Sequence, residues 1–269
     1  MSRLFDLTGE IAVVIGGTGV LGGALAEGLA GAGALVAILG RSADRGEACV
    51  ARIRDAGGSA AFFATDATVP ASLAQAHKAI ERTFGAAGVL VSAAGGNDPS
   101  VTVSAERPFE KIDPKDWSAS FDLNLVGGAL LPAQEFGPAM CERGRGSIIN
   151  IASVAAHLPI SRVVAYSAAK AALLNLSQFL AREWAPRGVR VNTITPGFFP
   201  AEQNRRLLFD ENGKPTPRSQ AILGHTPMGR FGQPSELVGA AIFLASSAAS
   251  GFVTGTDLRV DGGFLSQTI

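Results

Sequence analysis

The chain has 269 residues, of which 47% are hydrophobic and 17% are charged, and its 23 basic and 23 acidic residues give a net charge of zero. This composition excludes an intrinsically disordered chain, and the length is enough for one large domain with a sizeable core. Because there is no basic excess, the sequence argues against nucleic acid or an anionic membrane as a partner. We therefore expect a small-molecule partner.

The cysteines and the N-terminal residues bear on the compartment. Cys49 and Cys141 lie far apart without metal-type spacing, which predicts two inert thiols in a reducing environment and no metal site. Asp6 and Glu10 interrupt what would be the apolar core of a secretory signal. An uncharged window at 237–256 is long enough to span a bilayer, but its serine, threonine and glycine residues predict a helix, a loop and a strand. We expect a cytoplasmic protein.

Short apolar runs alternate with longer amphipathic runs along the whole chain. The short runs predict strands and the longer ones predict helices, so the alternation indicates βαβ units. The strands lack period-two patterning, as expected of parallel strands buried on both faces. We predict a single doubly wound Rossmann domain of the α/β class over 1–269, with a seven-stranded parallel sheet and helices on both faces. The predicted strands are 11–15, 35–39, 60–64, 89–92, 147–151, 189–194 and 257–260, and the predicted helices include 21–32, 45–56, 72–84 and 165–185.

A glycine-rich turn follows the first predicted strand and opens the first helix. Gly17, Gly19 and Gly22 have the G-x-G-x-x-G spacing of dinucleotide-binding turns, in the strand-to-helix context which that motif requires. Glycines permit the tight turn, the approach of backbone amides to a pyrophosphate and close helix–strand packing, and the helix N-terminus adds partial positive charge. The alternative is a glycine-rich turn in a chain that has 33 glycines. We expect the cofactor phosphates at Gly16, Gly17, Thr18, Gly19, Val20, Leu21 and Gly22.

The end of the second strand predicts which nicotinamide cofactor binds. Gly40 stands where an NAD-binding Rossmann fold usually has an acid for the ribose 2′-hydroxyl. Arg41 and the hydroxyl of Ser42 can instead hold a 2′-phosphate, although a solvated arginine at a strand end is the alternative. The sequence therefore favours NADP(H) over NAD(H).

A tyrosine–lysine pair indicates acid–base chemistry. Tyr166 is the only tyrosine, and Lys170 follows four residues later within the predicted helix 165–185. This spacing places both side chains on one helix face. An ammonium near a phenol favours the phenolate and lowers a tyrosine pKa that starts at about 10, which makes the tyrosine usable as an acid or a base.

The glycine turn at 16–22, Ser153 and the motif Tyr166-Ser-Ala-Ala-Lys170 together resemble the short-chain dehydrogenase/reductase family, over 7–263. Asn124 and Ser153 match the family's catalytic asparagine and serine. The resemblance implies that Tyr166 transfers a proton to or from the substrate oxygen while hydride passes between nicotinamide C4 and the substrate carbon. It implies that Lys170 holds the nicotinamide ribose and lowers the tyrosine pKa, that Ser153 hydrogen-bonds the substrate oxygen, and that Asn124 positions a water.

The resemblance also implies further cofactor contacts. Asp66 matches the acid that contacts the adenine amino group, and Pro196-Gly197 and Asp261-Gly-Gly are further family marks. With the glycine turn, the expected cofactor residues are Arg41, Ser42, Asp66, Ala67, Ala94, Gly95, Asn124, Tyr166, Lys170, Pro196 and Gly197.

Two departures from the family pattern stand near the cofactor. Ser92-Ala93-Ala94-Gly95 replaces the family's Asn-Asn-Ala-Gly, a motif that stabilises the sheet, so local hydrogen bonding is expected to differ here. The family's commonest glycine spacing has glycine at the position of Val20, whereas in this chain Gly19 comes one residue earlier.

The least regular stretch, 196–234, contains prolines at 196, 200, 215, 217 and 227. A long excursion late in an open α/β sheet favours a lid over the ligand cleft, here 196–230, with a surface insertion as the alternative. Polar residues of this stretch, including Arg206, His225 and Arg230, suit a hydroxylated acid, because a guanidinium matches a carboxylate. The expected substrate residues are Asn97, Ser153, Phe198, Gln203, Asn204 and Arg205.

The lid sequence resembles the D-mannonate oxidoreductase or fructuronate reductase subgroup, which implies a sugar acid such as D-mannonate or D-fructuronate as substrate. The alternatives are another polyol, a ketone or a 3-oxoacyl thioester. A non-catalytic cofactor-binding sensor is disfavoured, because such a protein is free to lose Tyr166 or Lys170. Helices predicted around 116–143 and 165–185 are apolar on more than one face, and family members pair these helices, so the resemblance implies a homotetramer.

Overall fold

A seven-stranded parallel sheet forms the centre of the computed structural model, which describes residues 3–201 and 208–268. The strand order is β3-β2-β1-β4-β5-β6-β7. All the predicted strands are confirmed, with ends that move by no more than two residues. The strands are β1 (Ile11–Ile15), β2 (Leu35–Gly40), β3 (Ser59–Ala64), β4 (Val89–Ser92), β5 (Gly146–Ile151), β6 (Val189–Pro196) and β7 (Asp257–Val260).

Helices cover both faces of the sheet, and the four that were predicted are confirmed within two residues at each end. Between α4 and α5 the chain forms a π-helix, Asp122–Leu130, which the sequence pattern does not predict. The α-helices are α1 (Val20–Gly31), α2 (Ala43–Asp55), α3 (Pro70–Thr83), α4 (Pro114–Phe121), α5 (Leu131–Glu142), α6 (Val164–Trp184), α7 (Pro217–His225) and α8 (Val238–Ala245).

Alternate residues of each central strand pack into two separate hydrophobic layers. In β1, Ala12 and Val14 belong to the layer that includes residues of α1, α2 and α8. Val13 and Ile15 belong to the opposite layer, which includes residues of α3, α5 and α6. A strand buried on both faces needs apolar residues at every position, which is why β1 shows no polar alternation.

The direction of the chain reverses across the β1–β4 pair, because β2 and β3 extend the sheet to one side and β5, β6 and β7 to the other. In open α/β sheets ligands bind at such a switch point, outside the carboxyl ends of the strands. The glycine turn after β1 and residues 93–96 after β4 meet there. The fold therefore brings the predicted cofactor and catalytic segments to one edge.

The uncharged window at 237–256 contains α8, a single helical turn at Ser247–Ser250 and a loop. The strand that was predicted inside it begins only at Asp257, so that part of the prediction is wrong. Among the residues that the structure describes, no helix is long and apolar enough to cross a membrane. Cys49 and Cys141 are buried free thiols, as predicted.

Candidate active site

Close backbone contacts explain the glycines after β1. Gly16 adopts a left-handed φ of +77°, and a Cβ on it would lie 2.7 Å from the amide nitrogen of Ala94. A Cβ on Gly22 would lie 2.2 Å from the carbonyl oxygen of Gly16, so α1 rests directly on the turn. Gly19 is the N-cap of α1 and provides no side-chain acceptor for the first amide groups. An uncapped helix N-terminus behind a glycine turn suits a phosphate group.

The end of β2 is shaped by Thr18. A Cβ on Gly40 would lie 2.5 Å from Oγ1 of Thr18, so the threonine occupies the space that an acidic side chain at position 40 would need. Arg41 is exposed beside it. Ser42 caps α2, where its Oγ accepts a hydrogen bond from the amide of Arg45 at 3.5 Å. Position 40 therefore excludes an acid for a steric reason that the sequence alone does not reveal.

Asp66 and Ala67 follow β3 at the same edge. Hydrogen bonds from the Thr68 hydroxyl and amide, at 2.7 and 2.9 Å, and a smaller effect of the Arg41 charge lower the pKa of the Asp66 carboxyl. Ala67 lies against the π-helix, because a Cβ on Gly127 would be 3.0 Å from the Ala67 carbonyl oxygen. Asp66 is thus an ionised acceptor on a fixed turn.

Tyr166, Lys170 and Ser153 come together where α6 passes the end of β5. Ser153 begins the turn after β5, where its Oγ accepts from the Ala155 amide at 3.2 Å, and its side chain acts on the pKa of Tyr166. Nζ of Lys170 lies 5.8 Å from the centroid of the Tyr166 ring and donates a hydrogen bond to the Ile151 carbonyl oxygen at 2.8 Å. The i,i+4 pair therefore shares one helix face, as the spacing predicts.

Burial dominates the electrostatics of this pair. Desolvation raises the pKa of Tyr166, and the hydrogen bond with Ser153 only opposes that rise. Desolvation also lowers the pKa of Lys170 to about 8. The net shift of the Tyr166 pKa is therefore upward, because burial penalises the charged phenolate and the charged ammonium alike, and the lowering of that pKa by Lys170 stays a prediction.

Asn124 is fully buried within the π-helix and is held entirely by backbone groups. Its Nδ2 donates to the carbonyl oxygens of Ser120 and Gly96, both at 2.9 Å, and its Oδ1 accepts from the Gly96 amide at 2.8 Å. Gly95 has a φ of +148°, and a Cβ on it would lie 2.7 Å from Asn124 Oδ1 and 3.3 Å from Lys170 Nζ. Glycine thus lets the loop after β4 approach both side chains. π-helices of this kind occur frequently at functional sites.

The departure at the end of β4 leaves a hydrogen-bonding deficit among the described residues. Oγ of Ser92 is buried and has no hydrogen-bond partner in the part of the chain that the structure describes. Asn150 faces Ser92 across the β4–β5 pair, and its Oδ1 is equally unpartnered. Its Nδ2 donates to Oγ of Ser177 at 2.9 Å. Polar atoms thus remain unsatisfied in the sheet beside the site.

The stretch after β6 lies over the same edge of the sheet. Gly197, which follows Pro196, donates its amide to the Val260 carbonyl oxygen at 3.0 Å, and a Cβ on it would be 2.8 Å from Cα of Asp261. The ring of Phe198 packs edge-on against Phe264 with centroids 5.1 Å apart. This stretch is therefore tied to the segment that follows β7.

The polar residues that were predicted for the substrate either contact other parts of the chain or lie outside the described residues. His225 packs on Phe264 with ring centroids 4.5 Å apart, and Arg230 makes a two-point ion pair with Glu236 at 2.8 and 2.6 Å. Both are committed to contacts within the polypeptide. Asn97 is exposed, and its Nδ2 donates to Oγ1 of Thr102 at 2.7 Å. Gln203, Asn204, Arg205 and Arg206 lie outside the described residues.

Sequence reasoning missed a polar network that begins at the turn after Ser153. Nε2 of His157, four residues after Ser153, lies 3.0 Å from Oδ2 of Asp257, whose Oδ1 accepts hydrogen bonds from the hydroxyls of Thr193 and Thr195 at 2.6 Å each. This network ties the Ser153 turn to β6 and β7. Its only sequence signal is the position of His157 between the two catalytic motifs.

A match to a known family accompanies this geometry. The family described as enoyl-(acyl carrier protein) reductase matches residues 18–265. A Bacillus subtilis protein named uncharacterized oxidoreductase UxuB is 41% identical over 271 residues, which cover 98% of this chain and 97% of that protein. This chain belongs to the short-chain dehydrogenase/reductase family.

Solved structures of other dehydrogenases are similar to this one. A Haemophilus influenzae protein provisionally named a D-mannonate oxidoreductase, with bound NAD, has a TM-score of 0.92 and 38% identity, covering 98% of this chain and 97% of its own. A gluconate 5-dehydrogenase from Burkholderia cenocepacia, in complex with NADP and tartrate, has a TM-score of 0.88 and 37% identity, covering 98% of both chains. This short-chain dehydrogenase is therefore an NAD(P)-dependent oxidoreductase that acts on CH–OH donors.

Proposed function

We propose that this enzyme interconverts a carbonyl and a secondary alcohol on a sugar acid such as D-mannonate or D-fructuronate. The observation that carries the proposal is the meeting of Tyr166, Lys170, Ser153 and Asn124 at the carboxyl edge of the sheet, beside the glycine turn. Such an oxidation or reduction requires a side chain that can give or take a proton, with hydrogen-bond donors around it.

The roles of the four residues follow from their surroundings. The nicotinamide, when bound, supplies or accepts the hydride. Tyr166 gives its proton to the substrate oxygen during reduction, for which a raised pKa keeps the phenol protonated at neutral pH. Lys170, whose pKa of about 8 leaves it mostly charged at neutral pH, stabilises the phenolate that remains. Ser153 donates a hydrogen bond to the same substrate oxygen. Asn124 positions a water through which the proton is relayed.

The cofactor favoured by the site is NADP(H). Thr18 fills the space of an acid at position 40, and Arg41 is exposed at the end of β2, where its guanidinium can meet a 2′-phosphate. Titration of both cofactors against the wild type and Arg41→Ala tests this. Loss of one charge-assisted contact should weaken NADP(H) binding by about 1.5–3 kcal/mol and leave NAD(H) binding unchanged. Tighter binding of NAD(H) by the wild type contradicts the proposal.

Two observations support a sugar acid as substrate. One similar structure is provisionally named for D-mannonate, and another is a gluconate 5-dehydrogenase that holds tartrate, a hydroxylated diacid. The apolar lid residues Phe199 and Leu208 are buried in the polypeptide, so they anchor the lid instead of lining an acyl tunnel. This weakens the acyl thioester alternative.

A substrate panel distinguishes the candidates. We expect kcat/KM to be highest for ketoacids of the fructuronate type, lower for neutral ketoses and lowest for 3-oxoacyl thioesters, each measured with both cofactors by the change in nicotinamide absorbance. The highest kcat/KM with neutral ketoses or thioesters contradicts the proposed substrate class and leaves the reaction type standing.

We further propose that residues 1–269 act as one domain with 196–230 as its lid, in a homotetramer located in the cytoplasm. The buried free thiols Cys49 and Cys141 suit a reducing compartment.

The proposed tetramer rests on exposed apolar side chains. Phe179 of α6 is 56% exposed, and Trp117 stacks on Phe121 in α4 with ring centroids 5.7 Å apart, so apolar side chains mark the outer face of these helices. Light scattering at micromolar concentration should give four chain masses, and a monomer mass contradicts this assembly.

A further inference from the structure

Two arginines that the mechanism does not use lie on the segments that follow β5 and β6. Arg162 is on the loop between Ser153 and Tyr166, and Arg218 is in the first turn of α7. Nη1 of Arg218 donates to Oγ of Ser161 at 3.2 Å, so α7 rests on the loop that leads into α6. The lid and the loop after β5 therefore meet through an arginine.

Arg162 is fixed from the opposite side of the same loop. Its Nε donates to the Val103 carbonyl oxygen at 3.2 Å, and its own carbonyl oxygen accepts from the Val103 amide at 2.8 Å. Val103 belongs to the segment after β4. Segments that follow β4, β5 and β6 thus converge around Ser161, at the sheet edge where ligands bind in this type of fold.

The backbone at Arg162 is held in an unfavourable conformation. Its φ is +76°, and among the described residues it is the one non-glycine residue with a positive φ. Backbone strain of this kind is concentrated at functional sites, where the surrounding structure holds the strained residue in place. The next residue, Val163, is the N-cap of α6 and offers no side-chain acceptor to the first amides of that helix. The positive end of the α6 dipole therefore lies beside Arg162.

Positive charge at this point has no ion-pair partner among the residues that the structure describes. Burial, followed by repulsion from Arg162, lowers the pKa of Arg218. Within 3–201 and 208–268, neither arginine forms an ion pair with a carboxylate. Arg162 acts on Glu106 only weakly, and that carboxylate accepts instead from Oγ of Ser104 at 2.8 Å. Arg218 is half-buried and Arg162 is exposed, and an anion between two such guanidiniums offsets their repulsion.

We propose that Arg218 and Arg162, with the hydroxyl of Ser161, form the subsite for the carboxylate of the substrate. This rests on the proposed sugar-acid function and names the residues that select it. The guanidinium fork matches a carboxylate in geometry and charge. Tyr166 lies in the first turn of α6, five residues after Ser161, so the proposed subsite and the proton donor belong to the same connection between β5 and α6.

The test compares two substrates that differ in one group. D-fructuronate carries a carboxylate where D-fructose carries a hydroxymethyl group, and kcat and KM are measured for both at saturating NADPH. Arg218→Gln should raise the KM for D-fructuronate about 10-fold or more while changing kcat/KM for D-fructose less than about 2-fold. Arg218→Lys should restore part of the acid preference, because the charge returns without the fork.

Arg230→Gln is the matched control, since Arg230 lies in the same lid but is neutralised by Glu236. It should leave the acid-to-neutral ratio unchanged. If thermal unfolding shows that Arg218→Gln does not fold, Arg162→Gln is measured with the same two substrates as a second test of the subsite. A wild type without acid preference overturns the proposed function. A wild type that prefers the acid, together with arginine variants that keep the preference, overturns the subsite alone.

Discussion

The wall of the cleft, which carries Asn124, Ser153, Tyr166 and Lys170, and the lid at 196–230 differ in what holds their longer polar side chains. In the wall, backbone groups are the partners: Asn124 makes three hydrogen bonds to the main chain, and Lys170 donates to a strand carbonyl. In the lid, two arginines are held by side chains that lie outside it, Arg230 by Glu236 and Arg218 by Ser161.

This difference has a consequence for function. Main-chain partners persist when neighbouring residues change, so the wall can keep one chemistry. Side-chain partners change with each substitution, so the lid can be adapted to another substrate without disturbing the proton-transfer residues. We therefore expect substitutions in the wall to reduce turnover for every substrate, and substitutions in the lid to change which substrate is preferred.

The largest expected effect comes from removing the proton carrier of the wall. Tyr166→Phe deletes only the hydroxyl, and general acid–base catalysis contributes about 10²–10⁴-fold. We expect kcat to fall by that factor for acid and neutral substrates alike, with cofactor affinity nearly unchanged by fluorescence titration. A variant that keeps more than about a tenth of the wild-type kcat removes Tyr166 from the proposed role.

A second substitution tests the energetic consequence of burying a lysine in the wall. The pKa of Lys170 falls from 10.5 to about 8 on folding, so between these values the unfolded chain binds more protons than the folded one. The free energy of unfolding of the cofactor-free wild type should therefore rise with pH across this window, relative to Lys170→Met.

The pKa difference corresponds to at most about 3 kcal/mol. Urea unfolding of both proteins at several pH values between about 8 and 10 measures it. The raised pKa of Tyr166 keeps its phenol protonated in both folded proteins over this window, and the unfolded chains ionise it alike, so it contributes little to the comparison. A constant stability difference across the window means that Lys170 keeps an ordinary pKa in the folded state.

A third substitution tests the rigidity of the turn that supports the wall. Gly22→Ala places a Cβ 2.2 Å from the Gly16 carbonyl oxygen, whereas Gly31→Ala, in the same helix, meets nothing within 4 Å. We expect Gly22→Ala to lose about 1–3 kcal/mol of stability through overpacking and to weaken cofactor binding. Gly31→Ala should keep both, and equal behaviour of the two variants contradicts the proposed close packing of helix on turn.

The sequence predicts the wall better than the lid, for a physical reason. Strand order, the glycine turn and the Tyr166–Lys170 face depend on local spacing and on the buried character of parallel strands, which are visible along the chain. The π-helix at Asp122–Leu130 is not visible in this way, and nor is the contact between Thr18 and the β2 end.

The lid depends on which distant side chains meet. Arg230 and His225 were expected to face the substrate, but Glu236 and Phe264 engage them. Arg218 is not part of a sequence motif. Its proposed role follows only from its contact with Ser161, which lies 57 positions away in the sequence. The net effect of burial on the Tyr166 pKa likewise requires the packed structure, because neighbouring charges can be counted in a sequence but desolvation cannot.

The smallest expected effect concerns Ser92, a buried residue beside the wall whose hydroxyl lacks a hydrogen-bond partner among the described residues. Ser92 and Ser147 are both buried in the sheet, but Oγ of Ser147 donates to the Leu244 carbonyl oxygen at 2.8 Å while Oγ of Ser92 has no partner within the described residues. An unsatisfied buried hydroxyl costs free energy, and replacing it by hydrogen removes that cost. Ser92→Ala should therefore be neutral or stabilising by up to about 1 kcal/mol, whereas Ser147→Ala should lose about 1 kcal/mol.

Urea unfolding of the two variants and the wild type decides between these outcomes. The main-chain contacts that hold Asn124 do not pass through Ser92, so kcat of Ser92→Ala should stay at the wild-type value. A loss of stability in Ser92→Ala equal to that of Ser147→Ala shows that the Ser92 hydroxyl is satisfied in solution. In that case the replacement of the family's asparagine by Ser92 costs the sheet no hydrogen bond.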